Sequence, residues 1–282
     1  MEPLNSPINP NLPFITYGSF KPGELRFSLI KSFVASFETI SIVGRLKEKD
    51  GIPIFYNFKK QSEKGEDYRA IKVYFKKGKE HLAYQIISGS EPNTYYQWTI
   101  FEGCNLLKGI DDLKGLKDFM DFSWSFKHDP YFSQGLISSM KLKNSELSTQ
   151  DYSIDQDFFR FFCNQAAYML LWTIIERFCA LKYGNIKPTQ NIKRLAEDSE
   201  INWNIIVDIV NRSDIIYRSN EIGTKEKLTP RSSIKKILNY YYSLRSNMVH
   251  RGKNAFEDIA RINKAFDELY QIVDNLIKIH KS

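Results

Sequence analysis

Arg245 and His250 lie five residues apart in the segment Tyr241-Tyr242-Ser243-Leu244-Arg245-Ser246-Asn247-Met248-Val249-His250-Arg251-Gly252. Residues 230–249 are predicted to form a helix, with Thr229 as its cap and Pro230 at its first position. Its apolar stripe is Ile234, Ile237, Leu238, Tyr241, Leu244 and Met248, and Arg245 falls inside that stripe. A charge on a core-facing stripe needs a partner, because an unpaired buried charge is very unfavourable. At about 100° per residue, His250 lies roughly 140° from Arg245, so the two do not share a face of one straight helix. They converge if the helix distorts before Gly252, or if a second subunit completes the site. A histidine of ordinary pKa gives or takes a proton near neutrality. A plainer reading of the same residues pairs Arg245 with a carboxylate such as Glu176 and makes His250 a helix C-terminal cation.

A second constellation is Tyr17-Gly18-Ser19-Phe20-Lys21-Pro22-Gly23, which follows a short β-rich run, Phe14-Ile15-Thr16-Tyr17. Far downstream stand Glu91, before Pro92, and then Tyr95-Tyr96-Gln97-Trp98. Read plainly, Gly18 and Gly23 are turn residues and Glu91 is a surface residue. The cysteines, Cys104, Cys163 and Cys179, are odd in number and widely spaced, which argues against a disulfide framework. With no CxxC pair, and with His81, His128, His250 and His280 scattered, no metal site is expected. No cofactor is expected either.

These residues must be held by two regions of different texture. The chain has 282 residues, which suggests about two domains. It is 42% hydrophobic, 26% charged and 14% aromatic, which excludes a wholly disordered chain. Strands are predicted at residues 14–17, 41–46, 71–75 and 95–101, with a helix over 25–37. Residues 59–79 are read as a solvated loop and hairpin. Residues 105–155 are ambiguous, with a helix suggested over 114–122. After Tyr152 the texture is helical. Ser153-Ile154-Asp155-Gln156 has the form of a capping box, opening a buried helix over 157–182 that Gly184 ends. Cys163 and Cys179 fall within it and are read as buried thiols. Shorter helices are predicted over 190–197 and 203–210, and a polar loop over 211–228. The last helix is capped by Asn254 with Glu257, and its seam is Ile259, Ile262, Phe266, Leu269, Val273 and Leu276.

The Arg245–His250 segment resembles the signature of HEPN domains, in particular their Apea-like branch, where Arg-x4-6-His sits late in a helix of a small bundle. Leu170-Leu171-Trp172-Thr173-Ile174-Ile175-Glu176-Arg177-Phe178 resembles the early helix of such domains, and the likeness covers residues 152–282. It implies metal-independent RNA cleavage at a composite cleft between two domains. His250 would serve as general acid or base, Arg245 would stabilise charge on the scissile phosphate, and Asn247 would orient the phosphate or the histidine. Ser246, Glu176 and Tyr241 would support them.

Tyr17-Gly18-Ser19 resembles the opening motif of γ-glutamyl cyclotransferase-like domains. Val43-Gly44-Arg45-Leu46, Gly51-Ile52-Pro53, and Ser88-Gly89-Ser90-Glu91 before Tyr95-Tyr96 follow in the order of that family. The likeness covers residues 13–102. It implies a ligand loop at Tyr17, Gly18, Ser19 and Phe20, with backbone N–H groups near a ligand carboxylate. Glu91 would move a proton as 5-oxoproline is released.

The expected fold class is α+β: a small, mixed, barrel-like N-terminal domain followed by an all-α helical bundle. The expected divisions are a tail over 1–12, an α+β domain over 13–125, a linker over 126–151 and a helical bundle over 152–282. The expected function is a homodimeric endoribonuclease, controlled by an N-terminal module that binds a small ligand or a regulatory protein. By the resemblance it would be a toxin or an antiviral defence effector. The alternatives are a cyclotransferase-type enzyme whose helical half only dimerises, and an RNA-binding protein without catalysis. No signal peptide or membrane span is evident, so a cytoplasmic protein with RNA as partner and no membrane association is expected. Of 40 Lys plus Arg and 33 Asp plus Glu (net +7), residues 1–150 hold 20 and 17, and residues 151–282 hold 20 and 16. The near-even split does not say which half meets nucleic acid.

Overall fold

The computed structural model describes residues 4–49, 52–56, 65–91, 93–118, 129–145, 156–184, 188–217, 225–251 and 259–281. The fold is mixed α/β, with a seven-stranded sheet, a two-stranded sheet and eight α-helices among these residues. It divides into two compact units: residues 1–129 with 180–186, and residues 130–179 with 187–282.

In the first unit the strands are β1 (Phe14–Thr16), β2 (Val34–Lys49), β3 (Ile52–Tyr56), β4 (Glu66–Phe75), β5 (Tyr96–Phe101), β6 (Cys104–Gly109) and β7 (Lys117–Asp118). They pair in the order β3-β2-β4-β1-β6-β5, with β7 also on β2. Only β1 and β6 run parallel. Central β1 is buried at every residue, because the sheet is covered on both faces. Phe14 joins one core with Ile30, Ile54, Val73, Tyr84 and Ile87. Ile15 joins the opposite one with Ile42, Phe55, Ala70 and Leu106. Gly44 is required where the Phe55 ring crosses β2: a Cβ there would lie 2.2 Å from the ring.

The helices of this unit are α1 (Phe27–Lys31) and α2 (Glu80–Ser90). The helix expected over 25–37 shortens to α1, since from Val34 onward the chain pairs along β4. The strands expected at 41–46 and 71–75 are parts of longer ones, β2 and β4. In the region expected to be helical over 114–122, residues 117–118 form β7, and residues 119–122 lie outside the described part. The expected tail is packed: Leu4 is buried, and its N–H donates to Ser88 O. Trp98 Nε1 donates to Asn5 O, and buried Asn105 donates to Asn9 O at 2.8 Å.

The second unit begins with a π-helical turn (Tyr131–Gly135) leading into α3 (Leu136–Lys143). The expected linker over 126–151 therefore contains part of the helical unit. Lys143 pairs with Asp267 and lies 4.8 Å over the Phe266 ring. Next come α4 (Gln156–Tyr183), α5 (Pro188–Ala196), α6 (Trp203–Ile209), α7 (Ile234–Arg251) and α8 (Ile259–Lys281). Gly184, at φ +89°, ends α4 as expected of a left-handed cap. Cys179 is buried and Cys163 half-buried, and neither is in a disulfide. The boxes proposed at 153–156 and 254–257 fall on or against residues outside the described part.

Two expectations need correction here. The unit is not all-α: the presumed loop over 211–228 contains β8 (Asp214–Tyr217) and β9 (Lys225–Leu228), paired antiparallel. And α7 does not start at Pro230. Arg231 adopts φ +60°, which no right-handed helix continues, and Thr229 and Ser232 close a turn before it. Among the described residues no helix is long and apolar enough to cross a membrane.

Candidate functional site

α7 is buried along two stripes. Ile237, Leu238, Tyr241 and Leu244 form the expected one, and Tyr240, Ser243 and Asn247 form another. The second faces the β8–β9 hairpin, where Tyr240 donates to Asp214 Oδ2 at 2.7 Å. Arg245 sits half-buried beside α4. Its Nη2 is 3.6 Å from Oε1 of Glu176, which also accepts from Trp172 Nε1 at 3.0 Å. The Tyr242 ring packs against Trp172. Arg245 Nε is buried with no hydrogen-bond partner.

Asn247 is 8% exposed and donates from Nδ2 to Tyr217 O at 2.8 Å, while its Oδ1 is buried without a partner. Two residues apart on a helix, Arg245 and Asn247 point about 200° apart. Arg245 and Glu176 therefore meet on one side, and Asn247 meets the hairpin on another. Position 250 falls three residues after Asn247, on the same helical face. The His250 side chain lies outside the described part of the structure. Ser246 is half-buried between the two sides.

Tyr241 is committed to the core. Its hydroxyl donates to Glu268 Oε2 at 2.6 Å, and its carbonyl accepts from Tyr168. Burial and the adjacent Glu268 raise its pKa far above the ordinary tyrosine value. Sequence reasoning missed the polar network around it. Arg212 forks onto both oxygens of Glu268 at 2.8 and 3.0 Å and reaches Asp214 at 2.5 Å. Arg261 approaches the same Asp214 at 3.2 Å. Burial alone would raise the Asp214 carboxyl, but donors from Tyr240, Arg212, Ile215 N and Arg261 hold it below the usual aspartate value. Glu268 stands next to Leu269 but off the apolar seam of α8, so the sequence carried no signal for this network.

In the first unit, Tyr17, Gly18, Ser19, Phe20, Pro53, Glu91 and Tyr96 line a common cavity. Gly18 faces Pro53, whose Cγ a Cβ would meet at 3.2 Å. Tyr17 does not offer its hydroxyl to the cavity. It donates to Leu107 O at 2.8 Å and accepts from Phe55 N at 3.2 Å, joining β6 to β3. Tyr96 likewise donates to Pro53 O. Glu91 is buried, not a surface residue. Its Oε1 accepts from Arg26 Nη1 at 2.5 Å, and its buried Oε2 has no partner. Burial raises the Glu91 pKa above the usual glutamate value, although Arg26 pulls the other way. Arg26 also donates to the carbonyls of Leu181 and Ala180. It too escaped sequence reasoning, which placed only a helix over 25–37 there. The cavity measures about 30 Å³, room for roughly two water molecules.

Among the described residues, no group of three or more His, Cys, Asp or Glu is placed to hold a metal ion. No family model matches the chain, and no curated protein or solved structure matches it either.

Proposed function

We propose that the chain is a metal-independent endoribonuclease of the HEPN type, with Arg245, Asn247 and His250 as its working residues. In this reading a barrel-like N-terminal domain precedes a helical bundle, and two bundles associate as a homodimer. The observation that carries the reading is a contrast along α7. Tyr240 and Tyr241 have their hydroxyls fully engaged. Arg245 and Asn247 each keep one buried polar atom, a donor and an acceptor, without a partner. A buried unmade hydrogen bond costs about 1–3 kcal/mol, and a ligand that completed these two would recover it. A phosphate oxygen fits the Arg245 donor, and a ribose hydroxyl or the imidazole N–H fits the Asn247 acceptor.

In the reaction the 2′-oxygen attacks phosphorus as its proton passes to a base, and the bond from phosphorus to the 5′-oxygen breaks as that oxygen takes a proton. A 2′,3′-cyclic phosphate and a 5′-hydroxyl result. His250 serves as base or acid, and its counterpart comes from the second copy. Arg245 stabilises the charge that grows on the phosphoryl oxygens. Such an enzyme fits a toxin or defence effector, and the N-terminal domain fits a ligand- or partner-binding control module. The test is RNA cleavage in EDTA by the wild type and by Arg245→Ala and His250→Ala variants. RNA binding that weakens steeply with salt but yields no product would instead favour a non-catalytic RNA-binding protein.

Glu91 favours a second reading, a cyclotransferase-type enzyme. It is a buried carboxyl with a raised pKa that lines the cavity, and one of its oxygens has no hydrogen-bond partner. Against this, Arg26 occupies its other oxygen, and about 30 Å³ is far below the roughly 300 Å³ at which small-molecule sites begin. Under this reading, Glu91→Gln abolishes 5-oxoproline release from γ-glutamyl amino acids.

A further inference from the structure

The β8–β9 hairpin has one buried face and one open face. Side chains alternate along each strand, and directly paired residues point the same way. Ile216 and Leu228 point inward, at 4% and 0% exposure. The register pairs Ile215 with Lys227 and Tyr217 with Lys225. All four are exposed, and Tyr217 is 59% exposed. The open face is thus an aromatic ring and an isoleucine, each set directly opposite a lysine.

This face is rigidly mounted. At its base, Asp214 is held by Arg212, Arg261 and Tyr240. At its far end, the Tyr217 carbonyl accepts from Asn247 Nδ2 at 2.8 Å. The mounting costs the Tyr217 ring nothing in freedom to meet a ligand, because only its backbone is engaged. It anchors the backbone of this strand, at Tyr217, to the helical face that carries Asn247 and position 250.

We propose that the open face of this hairpin binds the single-stranded RNA flanking the scissile phosphate. The proposal rests on the nuclease reading and names its substrate class, unpaired RNA. Tyr217 stacks on a base, since every base offers a π-face to an exposed aromatic ring. Lys225 and Lys227 neutralise backbone phosphates on either side. They are two positions apart on one strand, about 7 Å, comparable to the step between successive phosphates of an extended strand. Charge complementarity selects this occupant: the open face carries two cations and no carboxylate, because Asp214 and Glu226 occupy inward positions of the register.

The experiment measures binding of the full chain to an unstructured oligouridylate by fluorescence anisotropy over a range of salt, with cleavage followed in parallel. Tyr217→Ala keeps the carbonyl that Asn247 needs. It is expected to weaken binding about 5- to 150-fold and to raise KM with kcat little changed, while Tyr217→Phe binds as the wild type does. Lys225→Ala with Lys227→Ala is expected to reduce the slope of log K against log salt by about 1.4, two phosphates' worth for a single strand. A merely structural role moves neither the slope nor the KM-to-kcat split. If Tyr217→Ala binds with wild-type affinity, or the double lysine variant keeps the full slope, the hairpin proposal is overturned even where cleavage is intact. If the wild type binds through this face and releases no cleavage product, the nuclease reading fails and the binding face stands.

Discussion

Nη2 of Arg245 lies 3.6 Å from Oε1 of Glu176, the same oxygen that accepts from Trp172 Nε1. Glu176 thus holds one end of the guanidinium and leaves the buried Nε without a partner, which in the nuclease reading makes it a positioning residue. Glu176→Gln keeps an acceptor for Trp172 and removes the charge. Cleavage should fall about tenfold in kcat with KM unchanged. Stability should stay within about 1 kcal/mol, the range for partly exposed pairs. An unchanged kcat contradicts the positioning role.

Asp214 joins the hairpin to α7 and α8, so Asp214→Asn should destabilise the protein by about 2 kcal/mol. The sign of the pH effect follows from the lowered pKa. A carboxylate whose folded pKa lies below its unfolded value of about 3.9 contributes stability above that value and loses it as pH falls through the folded pKa. Urea denaturation at a series of pH values from 6 to 3 should show this loss in the wild type. It should be flatter in the variant, and parallel curves would count against the network.

Arg26 and Glu91 form a buried pair, with side chains 3% and 6% exposed. Arg26→Met leaves Glu91 uncompensated and should cost about 3–5 kcal/mol near neutrality. Because the Glu91 pKa is raised in the fold, its ionisation opposes folding above that pKa. Stability of the variant should therefore recover as pH is lowered toward the ordinary glutamate value of about 4.3. Loss of stability on acidification in that window contradicts the assignment.

Tyr17→Phe removes one hydroxyl and strands two buried groups, Leu107 O and Phe55 N. The expected loss is about 1–3 kcal/mol in denaturant unfolding. A neutral substitution would return Tyr17 to the role of ligand contact that its motif suggested.

The seam of α8 was legible because burial follows helical period: Ile262, Phe266, Leu269, Val273 and Leu276 are all buried. Gly184 was legible for the same local reason, a cap chosen by backbone conformation. The hairpin was not. β8 and β9 are four residues each, and Lys225, Glu226 and Lys227 carry no strand preference. What forms them is the Arg212–Asp214–Glu268 network, whose members lie up to 56 residues apart. Glu91 was legible as a chemical residue but not as a buried one, since Arg26 stands 65 residues away. Residues 4–12 looked like a polar tail because their anchors are backbone carbonyls, which no side-chain pattern reveals. At the α7 site the motif named the residues. Only the fold separated Arg245, facing Glu176, from Asn247, facing Tyr217.

The most direct measurement is cleavage of a labelled single-stranded RNA by the purified full chain in EDTA, beside folded Arg245→Ala and His250→Ala variants. The wild type should leave 2′,3′-cyclic phosphate ends, and each variant should be slower by about 100-fold or more. Equal cleavage by wild type and both variants would contradict the account.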